Sequence, residues 1–455
     1  MIGAPLLVLV STLGQAPAAS PYTPAPLAQA SSTVRELPPE DGGVHFHAAL
    51  EALAGVFPSG TPEGALDGFL IARPRLGVTG GEEFEFELGA PLRLRLLDQE
   101  PLQSEQDFGK LRRQDWDEPS DYAQVLRSLR IGTDEGPFIL RAGAFSSWSV
   151  GTGHLVSRYD NRLSPDYHPA GASLAARFGP ARVDFFASDV LAARLFAAEV
   201  GLDIGRLTGL KEDGHDRYFL SVGAAYDFGQ AGGVAPPLSA VKLGVQAGLL
   251  RSDTFQLWVQ AAGGARGDML DEPMPDVGAA LGVVMLGRPE ETVEIQGKLE
   301  ARRQGGAFRF GLFGPDYELA RFSGVGLAEV PRADERLPTD FAGYAEVKAT
   351  LGSGVPEELE LVGSAAGEYF LSGRLDVDLV LEVHLPGGLT ELQLRAIGTS
   401  VMDRARYSLA GEVRHRFLPA VYVIAAGGTV HIPQADGSLM SGFHAGLGLG
   451  VDFQR

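Results

Sequence analysis

The stretch Glu83-Phe84-Glu85-Phe86-Glu87-Leu88-Gly89-Ala90-Pro91-Leu92-Arg93-Leu94-Arg95-Leu96-Leu97 sets the reading of the whole chain. Phe84, Phe86, Leu88, Ala90, Leu92, Leu94 and Leu96 fall on one parity, and Glu83, Glu85, Glu87, Arg93 and Arg95 on the other. Successive side chains of a strand point to opposite faces, so this is a β-strand with one apolar and one charged face. It is long enough to cross a bilayer at a tilt, which takes roughly 9 to 11 residues. The pattern returns along almost the whole chain. Strands in lipid satisfy their backbone by closing into a barrel without edges.

Composition agrees with that reading. Apolar residues make up 45% and charged residues 21% of the 455, close to a soluble average, which disfavours a helical membrane protein. A transmembrane barrel has this balance because half of each strand faces a polar lumen. The 60 glycines suit tight turns and small lumen positions, and the absence of cysteine removes a disulfide framework, thiol catalysis and most zinc sites. A formal net charge of -20 argues against nucleic acid as a partner. It is compatible with solvated loops and a cation-favouring lumen. Residues 1–19, with an apolar core from Pro5 to Val10 and small residues at Ala16, Ala18 and Ala19, read as a secretory signal peptide, although no Lys or Arg precedes Arg35. Residues 20–43 read as a flexible periplasmic lead-in and 44–455 as the barrel.

Alternation recurs with particular clarity at Thr292 to Arg302, where Val293, Ile295, Leu299 and Ala301 oppose Glu294, Gln296, Lys298, Glu300 and Arg302. At Arg374 to His384, Leu375, Val377, Leu379, Leu381 and Val383 oppose Arg374, Asp376, Asp378 and Glu382. Ala307 to Phe313 and Tyr317 to Val325, joined at Gly314-Pro315, are also expected to be strands, whereas 117–131 fits helical and strand spacing equally. The expected fold is all-β: a transmembrane antiparallel up-and-down barrel of even strand number, about 18 to 22 strands, with about 22 as the best count. Short turns such as Gly179-Pro180, Arg251 to Thr254 and Pro386 to Gly388 tend to alternate with longer connections, as in an outer-membrane barrel whose short turns are periplasmic. The connection from Arg206 to Asp216 is longer than its side predicts.

Phe443 to Phe453 resembles the terminal strand by which outer-membrane proteins are recognised for insertion, with Gln454 and Arg455 following the aromatic residue. The chain after about Val44 resembles porin-class outer-membrane β-barrels in architecture. Asp115-Trp116-Asp117-Glu118-Pro119-Ser120-Asp121-Tyr122, Gly151 to Tyr159 and Asp166 to Gly171 also resemble segments of uncharacterised large barrel proteins of Gram-negative envelopes. That resemblance implies the outer membrane and no particular chemistry.

The candidate lumen-lining residues are Arg93, Arg95, Lys298, Glu300, Arg302, Glu346, Lys348, Arg374, Asp376, Asp378, Arg395, Arg406 and Arg414, since rings of charge set ion selectivity in pores. Mixed signs serve equally to pair across and fill the lumen. The segment Ser146 to His168 is either an external loop or an inward constriction presenting His154, Arg158, Asp160 and Arg162, and Tyr159 and Tyr167 are candidates for the interfacial aromatic belt. Asp115, Asp117, Glu118 and Asp121 read as a solvated acidic loop, with a divalent cation as the alternative. No catalytic motif is present, and His154 with Ser157 is the one pair that a barrel-embedded hydrolase would use.

The sequence therefore points to an outer-membrane channel that passes ions, small polar solutes or an exported polymer through a mixed-charge lumen. The alternative is a loop-plugged scaffold that anchors a cell-envelope machine. No enzyme activity, cofactor or metal is expected. The expected partners are outer-membrane lipid and lipopolysaccharide, with periplasmic or envelope proteins as a further class.

Overall fold

The computed structural model describes residues 43–454 apart from 60–65, 82, 99–109, 135, 165–166, 193, 210–215, 230–234, 268–276, 291, 325–329, 353–357 and 435–436. The expected signal at 1–19 and nearly all of the lead-in at 20–43 lie outside the described residues. The chain opens with β1 (Val44–Pro58), β2 (Leu66–Gly80), β3 (Phe84–Gly89) and β4 (Leu92–Leu97). Next come β5 (Leu126–Gly132), β6 (Phe138–Gly143), β7 (Gly171–Phe178), β8 (Ala181–Ala187), β9 (Leu195–Asp203) and β10 (Tyr218–Asp227). The longer β11 (Leu238–Arg251), β12 (Phe255–Arg266), β13 (Val277–Glu290) and β14 (Val293–Gly306) precede β15 (Leu337–Leu351), β16 (Glu360–Phe370) and β17 (Leu375–His384). β18 (Thr390–Thr399), β19 (Arg406–Leu418), β20 (Val421–Pro433) and β21 (Leu439–Gln454) complete the sheet.

Every strand pair is antiparallel, and β1 pairs with β21 from His47↔Gln454 to Val56↔Ala445 while holding β2 on its other side. The sheet therefore closes. β3 and β4 both pair with β2 and form two halves of one stave, so the barrel has 20 staves. The break falls at Pro91, which has no N–H to give the ladder. Gly89 precedes it because a Cβ there would sit 2.3 Å from the Pro74 carbonyl oxygen. Beyond the break β5 no longer follows, and backbone at 110–112 takes its place: Arg95 N–H donates to the Lys110 carbonyl at 3.0 Å and Arg112 N–H to Arg93 at 2.8 Å.

The count falls below 22 because Ala307 to Phe313 and, through Gly324, the described part of Tyr317 to Val325 are not strands. They belong to the connection 307–336, which contains the short helix Tyr317–Ala320. Phe308, Phe310, Leu312 and Phe313 are buried inside the barrel instead of facing lipid, and Gly311 turns the chain with a φ of 64°. Apolar alternation reports a buried face without saying which side of the wall buries it. The ambiguous 117–131 resolves into both alternatives in succession, a 3-10 helix at Pro119–Val125 followed by β5.

Burial is inverted relative to a soluble protein. Leu281, Leu447, Leu299 and Leu379 point outward and are 61%, 67%, 50% and 44% exposed, while the inward Lys242, Lys298 and Arg302 are 2 to 3% exposed. An apolar surface of this extent belongs against hydrocarbon. The two ends of the described chain share one end of the barrel with the short turns 81–83, 179–180, 252–254 and 419–420. The connections 98–125, 144–170 and 307–336 leave from the opposite end. The connection after β9 is the exception at the short-turn end, where Asp203 accepts from Arg206 N–H at 3.2 Å and from Asp216 N–H at 2.8 Å. A Leu299→Arg or Leu379→Arg substitution, costing about 2 to 4 kcal/mol near mid-bilayer, should abolish the heat-modifiable folded band on gels. Arg95→Ser, on the inner wall, should preserve that band; equal loss at both faces would contradict the membrane assignment.

Candidate functional site in the barrel lumen

Two connections fold into the lumen and meet there. Val156 and Phe313 form a parallel bridge, with Ser157 N–H donating to the Phe313 carbonyl and Phe313 N–H to Leu155, both at 3.1 Å. Around this bridge Trp148, Val156, Tyr159, Phe308, Phe310, Phe313 and Tyr317 pack with Phe186 and Leu195 of the wall into one apolar cluster. Tyr159 and Tyr167 are thus buried in the lumen, not placed in an interfacial belt: Tyr159 bonds Glu318, and Tyr167 donates to Asp189 at 2.9 Å.

The 144–170 connection leaves β6 and reaches the far side of the barrel. Arg158 Nε lies 2.6 Å from Asp378 on β17, Nη1 3.2 Å from Glu346 on β15 and Nη2 3.2 Å from Ser364 on β16. Its backbone has a φ of 54°, a left-handed conformation that costs a non-glycine residue roughly 1 to 2 kcal/mol. Two buried carboxylates offset that cost and keep the guanidinium charged. Asp160 lies 3.3 Å from Arg395 Nε, and Arg162 Nε donates to the Pro169 carbonyl at 2.8 Å within the loop. Gly151 lies against Glu199, whose carboxylate would meet a Cβ at 2.1 Å and accepts from Thr152 N–H at 3.1 Å.

His154 sits between Thr152 and Glu300, each 2.8 Å from a ring nitrogen. Burial and the Lys298 ammonium push its imidazole down to about 3 despite the pull of Glu300, so it is neutral at ordinary pH. Its contact with Glu300 is a hydrogen bond of a neutral ring. Both ring nitrogens are engaged, so His154 is not available to activate Ser157.

The remaining candidate residues lie on the inner face. Lys298, Glu300 and Arg302 form one run on β14, with Arg302 Nη2 2.5 Å from Glu300, and Lys348 stands opposite Gln296 across the β14–β15 ladder. Arg374 pairs with Asp376 at 2.9 Å and Glu335 at 3.1 Å, and Arg406 with Asp316 at 3.0 Å, all near the long-loop end. Arg414 lies 3.1 Å from the buried Glu51, which Arg75 also contacts at 2.5 Å. Arg95 lies 3.3 Å from Asp67, and Arg93 is 2.6 Å from Asp115. Sequence reasoning missed Asp227, Glu318 and Arg321, a buried set in which Arg321 holds Asp227 at 2.8 Å and Glu318 at 3.2 Å. For Glu318 and Arg321 the signal was the charge density after Gly314-Pro315, which the strand reading of that stretch concealed; Asp227, at the end of β10, carried none.

The two walls differ in exposure. Beneath the loops the Glu300, Lys298 and Asp378 side chains are 0 to 3% exposed, whereas on the staves around the β1–β21 closure Arg73 is 25%, Arg127 31% and Glu412 21% exposed. Inward residues can be wetted only from the lumen. The architecture is that of a closed, antiparallel transmembrane β-barrel of 20 staves. No protein-family model matches the chain, and no curated protein matches it. Among solved structures, OccAB4 of Acinetobacter baumannii is 7% identical with a TM-score of 0.33, over 91% of this chain and 98% of that one. OccK8 (OprE) of Pseudomonas aeruginosa is 10% identical with a TM-score of 0.34, over 90% and 98%. CdiB from Acinetobacter baumannii is 9% identical with a TM-score of 0.28; 90% of this chain is covered but only 60% of CdiB. Similarity this low leaves the barrel assignment resting on the closed ladder and the outward apolar face.

The acidic stretch 115–121 is only half solvated: Asp117 and Glu118 face solvent, whereas Asp115 and Asp121 are buried. Asp115 is fully buried and accepts from Arg93 Nη1 at 2.6 Å and Arg112 Nη1 at 2.7 Å, while Asp121 accepts from Glu118 N–H at 3.0 Å and His168 N–H at 3.3 Å. Among the described residues no cluster has a metal-binding arrangement. Burial works to raise the Asp115 carboxyl, but His168, Arg93 and Arg112 outweigh it and hold it at about 2. Burial lifts Asp121 to about 6. The stability that Asp115 contributes is present above 3.8 and lost as pH falls toward 2; the raised Asp121 makes docking weaken as pH rises from 3.8 through 6. Docking of this segment should therefore be tightest near pH 4. With Trp148→Phe and Trp258→Phe, Trp116 fluorescence should report both limbs, and Asp115→Asn should remove the acid limb while Asp121→Asn removes the other.

Proposed function

We propose that the protein is an outer-membrane channel whose lumen passes ions and small polar solutes, with the 144–170 and 307–336 connections as its constriction. The observation that carries this reading is the wetted, charged wall beside the loops, in a barrel too wide for side chains alone to fill. Short turns face the periplasm and the constricting loops enter from outside. His154, Arg158, Asp160 and Arg162 belong to the constriction, and the inner-wall charges set the field along the path. Wetted cations such as Arg73, Arg127 and Arg416 alternate with Glu85, Glu412 and Asp452, so the path carries both signs. Selectivity between small cations and anions is accordingly weak. The chemistry of a mixed-charge wall suits small polar solutes better than an extended polymer, which would have to thread between the two loops.

A second reading, the plugged scaffold, draws on the dry packing of Phe308, Phe310, Phe313, Tyr159 and Tyr317. Planar-bilayer recordings of the refolded protein separate the two. Steady open steps with a small reversal potential under a salt gradient support the channel; a properly inserted but silent barrel supports the scaffold. Arg158→Ala leaves Glu346 buried without this cation and Asp378 with only the longer Arg395 contact at 3.6 Å, a loss of about 3 to 5 kcal/mol of loop anchoring. It should enlarge the conductance step, as should deletion of Val150 to Asn161. Unchanged steps in both variants would remove the loop from the permeation path.

A further inference from the structure

A cleft opens at the long-loop rim, where the end of β14 meets the β16–β17 and β18–β19 turns. It encloses about 90 Å³ and is bordered by Phe308, Arg309, Asp340, Phe370 and Asp403. Of these residues Phe308 also packs in the apolar cluster around the loop–loop bridge, and none belongs to the Arg158 anchor.

Arg309 is the unusual member. Its side chain is 8% exposed, and its ion-pair partner among the described residues is Asp376, at 3.5 Å. That exceeds the 2.7 to 3.2 Å of an ordinary N–H···O bond. Asp376 is moreover already occupied, accepting from Arg374 Nε at 3.0 Å on both oxygens and from Ser400 N–H at 2.8 Å. The Nε of Arg309 has no hydrogen-bond partner among the described residues. Other buried arginines with an idle Nε, such as Arg321 and Arg332, hold a carboxylate firmly through their terminal nitrogens, at 2.8 and 2.7 Å. Arg309 alone of these three is a buried guanidinium with an uncommitted donor edge. A buried charge left in that state is costly unless a partner arrives, and a guanidinium edge matches a carboxylate bidentately.

The rest of the lining narrows the ligand. Glu335 and Arg374 also line the cleft but pair with each other at 3.1 Å, and Asp340 accepts from Phe341 N–H at 2.7 Å and Ser372 N–H at 2.9 Å. Together with Asp403, Asp340 still leaves the cleft negative beside Arg309, which disfavours a simple anion and favours a molecule that carries an ammonium beside its carboxylate. Phe308, Phe370 and Pro338 supply apolar surface for a short side chain. We infer that this cleft binds a small zwitterionic amino acid, with the carboxylate on Arg309 and the ammonium toward Asp403 and Asp340. The inference deepens the channel reading by naming a solute class at the outer mouth, although binding itself does not require conduction.

Isothermal titration of the full barrel in detergent tests it with three probes: L-leucine, leucinamide, which lacks the carboxylate, and N-acetyl-leucine, which lacks the ammonium. L-leucine should bind, and removal of either charge should weaken binding at least about tenfold. Arg309→Gln should abolish leucine binding with the heat-modifiable band intact, and Asp403→Asn should narrow the gap between leucine and N-acetyl-leucine. If Arg309→Gln fails to fold, the three probes on the unaltered protein still decide. Absence of leucine binding, or leucinamide binding as well as leucine, overturns the site. A barrel that binds leucine but is silent in bilayers refutes the channel and leaves the site; one that conducts but ignores leucine refutes the site alone.

Discussion

Hydrocarbon offers no hydrogen bonds, and that constraint governs the rest of this molecule. A sheet in lipid must leave no edge, so the β1–β21 ladder that joins the first stave to the last is the condition on which every other strand depends. Closure then fixes the sidedness of each residue. Leu447 and Leu449 of the last stave face lipid, while Gly446 and Gly450 beside them leave room for the Leu53 and Tyr422 side chains and Gly448 for the backbone of Ala52 and Leu53. Tyr422 occupies the space that a Cβ on Gly450 would fill and donates to Glu51 across the seam.

A barrel of this width creates a second problem, an interior too large for its own wall side chains. The chain solves it mainly on one side, while beside the closure the 110–125 stretch packs through Arg112 and Asp115 onto Phe57 and Arg93. The 144–170 connection spans the lumen and is fastened by charge, with Arg158 set against Asp378 and Glu346 and with Lys242 against Glu199 at 2.5 Å near Thr152. The 307–336 connection lies on it and is fastened through Arg321 to Asp227 and through Asp316 to Arg406. Buried pairs of this kind contribute little net stability when intact but penalise any displacement that separates them, so they define a position for the loops more than they strengthen the fold. The apolar cluster between the loops supplies the cohesion, and the ion pairs supply the register. The wall around the closure seam keeps its wetted charges, and this asymmetry favours a channel over a filled cylinder.

The strand pattern, the parity of each lumen residue and the alternation of short and long connections were all legible in the residues. Parity is a local property: Leu299 and Glu300 cannot face the same way on a strand, whatever surrounds them. The misreading of Ala307 to Phe313 has the same origin. Its alternating phenylalanines obey the strand period, yet they pack inside the lumen, Phe308 on Gly264 and Gly278 of the wall, Phe310 on His154 and Phe313 beside Val156, all remote in sequence. Asp115 and Asp121 of the acidic run were misjudged for a related reason: Arg112 is a local partner three residues away, but the Arg93 that completes the neutralisation of Asp115 comes from a wall strand that only the fold brings near.

The sequence by itself determined that this chain is an outer-membrane β-barrel, since hydrophobic period and turn chemistry act over neighbours and need no knowledge of distant contacts. Tertiary structure alone decided that two loops turn inward and meet, that Arg158 anchors on the opposite wall, and that Arg309 is left facing a cleft without a firm partner. Each of these depends on which residues far apart in the chain come within a few ångströms, and that is set by the circumference and stagger of the closed sheet.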